Sequence, residues 1–477
     1  MKFQPNPERN SVKIAFIEGS LTRFDGKKLF IGYGEKKAGS RIGPLTRRKF
    51  VILMRKVIAT AKQNKLSSIA VDFKDLRSLA PKDFSDTEVG KITATAFVMA
   101  NYEHNTYKTK PKEGFAEVKV VAVPHTPEAA KGEGFWIGEQ IGAEVNACRE
   151  LDNTPGGDMT PKILAAAAKK ALKGTKAKVK VLGRKEMQRL GMGAVLGIAK
   201  GSIEEPQFIV MEYWGAGKRL GSLTPKGELN SHRPIVLIGK GVTFDTGGLQ
   251  IKSGDYMYEM HMDMSGGAAV IYAIALAAKL KIQANVVGLI PAVENNPGNS
   301  AVRPGDILKS LSGKTIEILH TDAEGRVILA DAITYAKRYS PKAVVDVATL
   351  TGAALTALGV QASAVMSNDA DFEKTVRELG EISGDYVWPM PLWEEYDDMV
   401  KGNFGDVPNI STAGNSRYGG VIAGGKFLEV FAKELNCPWV HLDIAPKMTA
   451  APGEHLAKGA AGAPVRLLFA LIEKHAK

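Results

Sequence analysis

The chain has 477 residues, 44% hydrophobic and 24% charged, a globular composition too long for one ordinary core, so two domains are expected. No stretch of about 20 residues lacks charges and turn-formers, which argues against a transmembrane helix. The first residues, MKFQPNPERN, lack the apolar run of a secretory signal. Two cysteines, Cys148 and Cys437, exclude a disulfide framework and a thiolate metal cluster, so a reducing cytoplasm is the expected compartment.

The formal charge of +12 is unevenly placed: residues 1–150 carry 26 Lys and Arg against 17 Asp and Glu, the remainder 37 against 34. Short apolar runs at 12–17, 68–73 and 118–123 read as strands. Residues 45–62 read as a helix, with Phe50, Leu53, Val57 and Ala61 at three- and four-residue intervals. Alternating strands and helices predict a smaller N-terminal α/β domain over 1–134. A Pro- and Gly-containing stretch near 126–133 precedes a helix over 135–151, taken as the bridge to a larger domain over 152–477.

The second domain opens at LDNTPGGDMTP, where Thr160 and Pro161 supply a capping hydroxyl and a first-turn proline for a helix over 162–172. Strands are predicted at 178–182, 207–213, 234–238, 284–290 and 343–348, and helices at 266–280 and 326–338. The alternation predicts a mostly parallel central sheet flanked by helices, with functional groups gathered at the carboxyl ends of its strands.

The segment HTDAEGR, 320–326, places Asp322, Glu324 and Arg326 two apart. In an extended chain such residues share a face, roughly 6.6 Å apart along the strand. Two carboxylates so placed can grip paired divalent ions, and an arginine fork can hold a small planar anion beside them. The plainer alternative is an acidic turn opening a helix. Two further acids join them. Asp245 lies in the glycine-rich GKGVTFDTGGLQIK, 239–252, with Lys240 and Lys252, and Asp263 lies in MHMDMSGGAA. The first of these loops fails as a dinucleotide fingerprint because Phe244 stands at the third glycine position. SGKT at 312–315 fails as a phosphate loop because Leu308 stands at the first. Four converging carboxylates repel unless cations balance them, and an oxygen-rich set suits Mn or Mg, with zinc also accepted. No HExxH zinc signature occurs, and His320 reads as structural.

These segments, with ENNPGNSAVRPGDI (294–307), ATLTGA (348–353), GGVIAGGKFLEVF, HLDIAP and KGAAGAPVRLL, resemble the leucine aminopeptidase (cytosol aminopeptidase) family in order and spacing, over about residues 150–477. The first domain matches only in size and α/β character. The resemblance implies a two-metal exopeptidase. One ion would take Lys240, Asp245, Asp263 and Glu324, and the other Asp245, Asp322 and Glu324. The ions would be Mn or Zn, with Mg or Co as further options. Lys240 would ligate as a neutral amine, its pKa depressed by burial and the adjacent dication. Lys252 would stay cationic and stabilise the oxyanion, and Arg326 would hold bicarbonate. Met260, Thr349, Gly352, Ala445 and Met448 would line a pocket suited to Leu- or Met-sized side chains. The implied substrates are peptides with a free N-terminus, and the implied assembly is a homohexamer of two stacked trimers, with no membrane partner.

Three departures stand out. His320 replaces a usual asparagine, the opening segment reads DNTPGGDMTP, and Pro446 and Lys447 follow HLDIA, with Lys447 expected near the pocket rim. Two rival readings remain. A two-metal phosphoesterase would want more histidine ligands and a basic phosphate clamp. A DNA-binding role would use Arg41, Arg47, Arg48, Lys49, Arg55, Lys56, Lys62 and Lys65 as one basic face, although no reader motif is present.

Overall fold

Long apolar runs become strands buried on both faces, and these organise the chain. The computed structural model describes residues 11–34, 44–110, 117–121, 132–217, 233–414 and 418–476. The chain divides into two compact units. The first comprises Met1–Asn146 with Ala450–Gly459, and the second Ala147–Thr449 with Ala460–Lys477. The division falls inside the helix Glu133–Asp152, and nothing in the sequence signalled the return of Ala450–Gly459 to the first unit.

In the first unit, β1 (Val12–Ile17), β2 (Arg23–Phe24), β3 (Lys28–Gly32), β4 (Ser68–Asp72) and β5 (Glu117–Val121) form a sheet ordered β2-β3-β1-β4-β5. Only the β2–β3 pair is antiparallel. The helix Arg47–Gln63, capped by the Thr46 side chain, buries Phe50, Leu53, Val57 and Ala61 as its spacing predicts. It packs against the helix Asp86–Asn101, which opens on a Ser85/Glu88 capping box.

The second unit carries β6 (Lys178–Leu182), β7 (Gln207–Trp214), β8 (Ile235–Gly239), β9 (Gly241–Asp245), β10 (Asn285–Asn295), β11 (Ile307–Lys309), β12 (Thr315–Glu317), β13 (Ala343–Ala348), β14 (Ser363–Ser367), β15 (Val387–Pro389), β16 (Val407–Pro408) and β17 (Trp439–Asp443). Nine of them form one sheet, ordered β15-β14-β17-β13-β8-β10-β7-β6, with β9 pairing β10; β11, β12 and β16 form a small second sheet. The centre is parallel, as expected, from β17 through β13 and β8 to β10. Towards the edges the sheet turns antiparallel at β14–β17, β10–β7 and β7–β6, so it is mixed. Every residue of β8, β10, β13 and β17 is buried, which is what strands covered on both faces require.

Strand β10 runs five residues past its expected end, through Pro291. A proline normally argues against a central strand because it donates no ladder hydrogen bond. Here it sits where β10 changes partner. Pairing with β8 ends at Leu289, and pairing with β9 begins at Ala292. Lys240 occupies the break between those two partners.

Among the described residues, Gly254–Lys279 is long and apolar enough to cross a membrane by composition alone, but 83% of its apolar run is buried in the protein. A 3-10 turn, Met260–Met262, interrupts it before the helix Ser265–Lys279, which packs on β8, β13 and β10. It is a core helix.

The eight basic residues proposed as one face do not form one. Arg55 is buried, 3% exposed, with its guanidinium 3.9 Å from Met99 Sδ. Arg47 pairs with Glu88 and stacks on Phe84, Lys56 donates to the Gly32 carbonyl, and Lys62 pairs with Glu103. Arg48, Lys49 and Lys65 are exposed, and Arg41 lies outside the described residues. Helical spacing turned part of the set inward.

Candidate active site

At the carboxyl ends of the central strands the chain brings four acids and two lysines into one buried cluster. Asp245 ends β9, Asp263 sits between the Met260–Met262 turn and the helix Ser265–Lys279, and Glu324 is the first residue of the helix Glu324–Ala336. Asp322 lies in the turn just before it. The extended spacing read into HTDAEGR is therefore not what aligns these groups. Asp322 and Glu324 converge because a turn runs straight into a helix, and both the acidic helix opening and the cluster exist.

Carboxylate oxygens of Asp245, Asp322 and Glu324 all lie within 4.8 Å of one another. Lys240 Nζ stands 2.8 Å from Asp263 Oδ2 and 2.7 Å from Glu324 Oε1, and donates to the Thr349 carbonyl at 3.0 Å. Lys252 Nζ stands 2.8 Å from Asp245 Oδ2 and 2.5 Å from Asp322 Oδ1. The structure thus gathers all six expected residues, with Asp263 joined to the other acids through Lys240. Gly325 makes room for this: a Cβ there would stand 2.5 Å from Lys240 Cε.

The electrostatics follow from burial. Desolvation raises the carboxyl pKa of Asp245, Asp263 and Asp322, with acidic neighbours adding to it and the lysines opposing it. Burial works against the Lys240 ammonium, but Asp263, Glu324 and Asp245 outweigh it and the net shift is upward. The sequence reading expects the opposite for an ion-loaded site. With carboxylates alone around it, Lys240 is held as a cation. Lys252 follows the same pattern. With all four carboxylates ionised, two ammonium groups would leave two negative charges, of which buried Arg326 beside Glu324 would offset one. The cluster remains short of positive charge. Asp263 Oδ2, Asp322 Oδ1 and Glu324 Oε1 are buried and meet lysine ammonium groups at 2.8, 2.5 and 2.7 Å. Hard oxygen donors, converging and under-neutralised, fit divalent cations.

Arg326 is 7% exposed, with its Nε buried and without a hydrogen-bonded partner. Burial lowers its pKa, opposed by Glu324 and Asp443. Among the expected pocket residues, Thr349 is buried and donates its hydroxyl to Asp263 Oδ1 at 2.6 Å. Met260, Ala445 and Met448 are half-buried and Gly352 is exposed. The helix Gly352–Leu358 packs on the turn Ala445–Lys447, and Met260's turn packs on β9. Lys447, expected near the rim, is buried.

Several supporting residues had no role assigned in the sequence. Asn295 donates to Asp245 Oδ1 at 2.8 Å and to the Thr321 carbonyl at 3.0 Å. Asn409 accepts from the amides of Leu319 and His320 and donates to the carbonyls of His320 and Ala323, clamping the turn that carries Asp322. His320 Nδ1 accepts the Asp322 amide at 3.2 Å, which gives its structural reading a definite form. Asn295 stood in a recognised segment, whereas Asn409 had no local signal at all.

Residues 146–469 match the catalytic domain of the cytosol aminopeptidase family. The chain belongs to the cytosol aminopeptidase family. A probable cytosol aminopeptidase of Polaromonas naphthalenivorans is 45% identical over 77% of this chain and 68% of its own length. One from Saccharophagus degradans is 40% identical over 93% of this chain and 84% of its own. Among solved structures, the bottromycin maturation enzyme BotP superposes with a TM-score of 0.81 at 27% identity, covering 97% of this chain and 99% of that one. As a member of the cytosol aminopeptidase family, the chain is a leucyl aminopeptidase-type hydrolase of a metal-dependent group, and the buried acidic cluster is where a metal fits.

Proposed function

We propose that this aminopeptidase works with two divalent ions at the cluster and prefers Leu- or Met-like first residues. The observation that carries the reading is the convergence of Asp245, Asp322 and Glu324 within 4.8 Å, with Asp263 drawn in through Lys240. Lys240, Asp245, Asp263 and Glu324 would hold one ion; Asp245, Asp322 with its carbonyl, and Glu324 would hold the other. Mn or Zn suits the donor set best, with Mg or Co compatible. When bound, the pair supplies Lewis acidity to the scissile carbonyl and to water.

The chain's own groups do the rest. Lys252, partly exposed at the cluster's edge and strongly held as a cation, places a fixed positive charge where an oxyanion develops. Arg326 presents a buried guanidinium with an unpartnered Nε to a small planar anion such as bicarbonate, suited to carrying a proton away from the attacking water. A free, unprotonated α-amine on the substrate would serve as a further ligand for the ions, which restricts cleavage to free amino ends. Met260, Thr349, Gly352, Ala445 and Met448 offer small or apolar surface to the first side chain. Leucine amide against N-acetyl-leucine amide, assayed with Mn- or Zn-loaded and chelated protein, tests the reading. Cleavage of the blocked substrate, or full activity after chelation, would overturn it.

The family resemblance supports a homohexamer, which size measurement in solution tests. The relatives' names support a cytosolic location.

A further inference from the structure

Strand β17 ends on Asp443, which is fully buried. It lies beside Ala348, the last residue of β13, in the parallel register of the sheet. From there its carboxylate reaches two different segments. Oδ1 accepts the amides of Leu350 at 3.0 Å and Thr351 at 3.4 Å, and Oδ2 accepts the Thr351 hydroxyl at 2.6 Å. Oδ1 also accepts the Ala445 amide at 3.2 Å. Thr351 Oγ1 in turn caps the helix Gly352–Leu358 by accepting the Ala354 amide at 3.1 Å.

These two segments are the ones that bear the proposed pocket residues. Thr349 and Gly352 flank Leu350 and Thr351 on one wall, and Ala445 and Met448 belong to the other. The first wall is pinned at its other end to the cluster, through the Thr349 hydroxyl on Asp263 and the Thr349 carbonyl on Lys240. Asp443 is fully buried, and its hydrogen-bond partners, Leu350, Thr351 and Ala445, include none of the proposed ion ligands. Its carboxylate is hydrogen-bonded to both walls.

We propose that Asp443, acting through Thr351, is a positioning residue that sets the spacing of the two pocket walls and so the size of first side chain the enzyme accepts. A charge-assisted hydrogen bond holds geometry more firmly than a neutral one, and one carboxylate accepting four donors fixes both walls relative to the same atom pair. The proposal rests on the pocket assignment above and deepens it.

The test compares leucine amide with alanine amide on ion-loaded full-length protein, separating kcat from KM and recording ion content. Thr351→Val removes the hydroxyl without changing shape much. It should lower kcat/KM for leucine amide roughly tenfold, mainly through KM, and alter alanine amide by less than about threefold. Asp443→Ala should do the same or more, while Asp443→Asn, which keeps an oxygen for the backbone amides, should restore most of the discrimination. Ion content should stay at the parent level throughout. If Asp443→Ala does not fold, Thr351→Val carries the test alone. Met448→Ala separates the two ideas. If it leaves the Leu/Ala ratio unchanged, the pocket assignment fails and this proposal falls with it. If it shifts the ratio while Thr351→Val leaves it unchanged, or lowers both substrates equally, the positioning role is overturned and the pocket stands.

Discussion

In the first unit most ion pairs lie near the surface: Arg47 meets Glu88 at 3.4 Å, Arg77 meets Asp86 at 3.3 Å, and Lys62 meets Glu103 at 2.6 Å, around a core of Phe50, Val57, Ile69 and Phe97, and among its described residues Arg55 and Glu144 are the buried charges. In the second, Lys240, Asp245, Asp263 and Glu324 are each at most 3% exposed, the first two at strand ends and the other two at helix openings. Pairs at a surface contribute little and are easily replaced. Buried carboxylates that outnumber their lysines are costly unless a further cation balances them. The contrast separates charge that keeps a protein soluble from charge held in place for chemistry.

The sharpest way to break that contrast is Glu324→Ala, which removes an acid shared by both proposed ion positions. Activity should fall by at least about a thousandfold, with ion content down at both positions, read by steady-state assay and elemental analysis. Next comes Lys252→Ala, which should lower kcat by about two to three orders of magnitude while ion content stays intact. Ion loss in that variant would mean its role is misassigned.

A smaller effect is expected at Asp331, a buried residue of the helix Glu324–Ala336 that accepts the Val195 and Leu311 amides. Burial raises its carboxyl to about 7, against those hydrogen bonds, which lower it. An acid with a higher pKa folded than unfolded stabilises the fold while protonated. Its contribution is full below its ordinary 3.8 and fades as pH rises through about 7. The parent's Tm should therefore decline across that window more steeply than that of Asp331→Asn, and parallel profiles would refute the assignment. The smallest change belongs to the first unit. Lys62→Ala removes a pair whose partners are mostly shielded yet lie at the surface, and should cost about 1 kcal/mol or less in denaturant unfolding, with kcat/KM unchanged.

Much of this was legible in the sequence because the signals were local. The strands expected at 178–182 and 343–348 became β6 and β13 with those bounds, and Phe50, Leu53, Val57 and Ala61 face inward as their spacing requires. The cluster was legible because its acids stand in distinctive glycine-rich segments. What escaped depends on contacts far along the chain. The Pro291 passage through β10 makes sense only once β8 gives way to β9. Arg55 looks like part of a basic face until Met99 is beside it, and Asn409 reaches the Asp322 turn from 86 to 90 positions away. HTDAEGR misled in shape because a period of two fits a strand and a helix opening equally over so few residues.

The position of Lys240 in the sheet has one last consequence. Its amide donates to the Val347 carbonyl and its own carbonyl accepts the Gly267 amide, so its backbone is knitted into β13 on one side and the core helix on the other. The backbone at Lys240 is thereby fixed by the sheet and the core helix themselves. Chelated protein should keep its far-ultraviolet circular dichroism, and reloading with a different divalent ion should restore turnover without any refolding step.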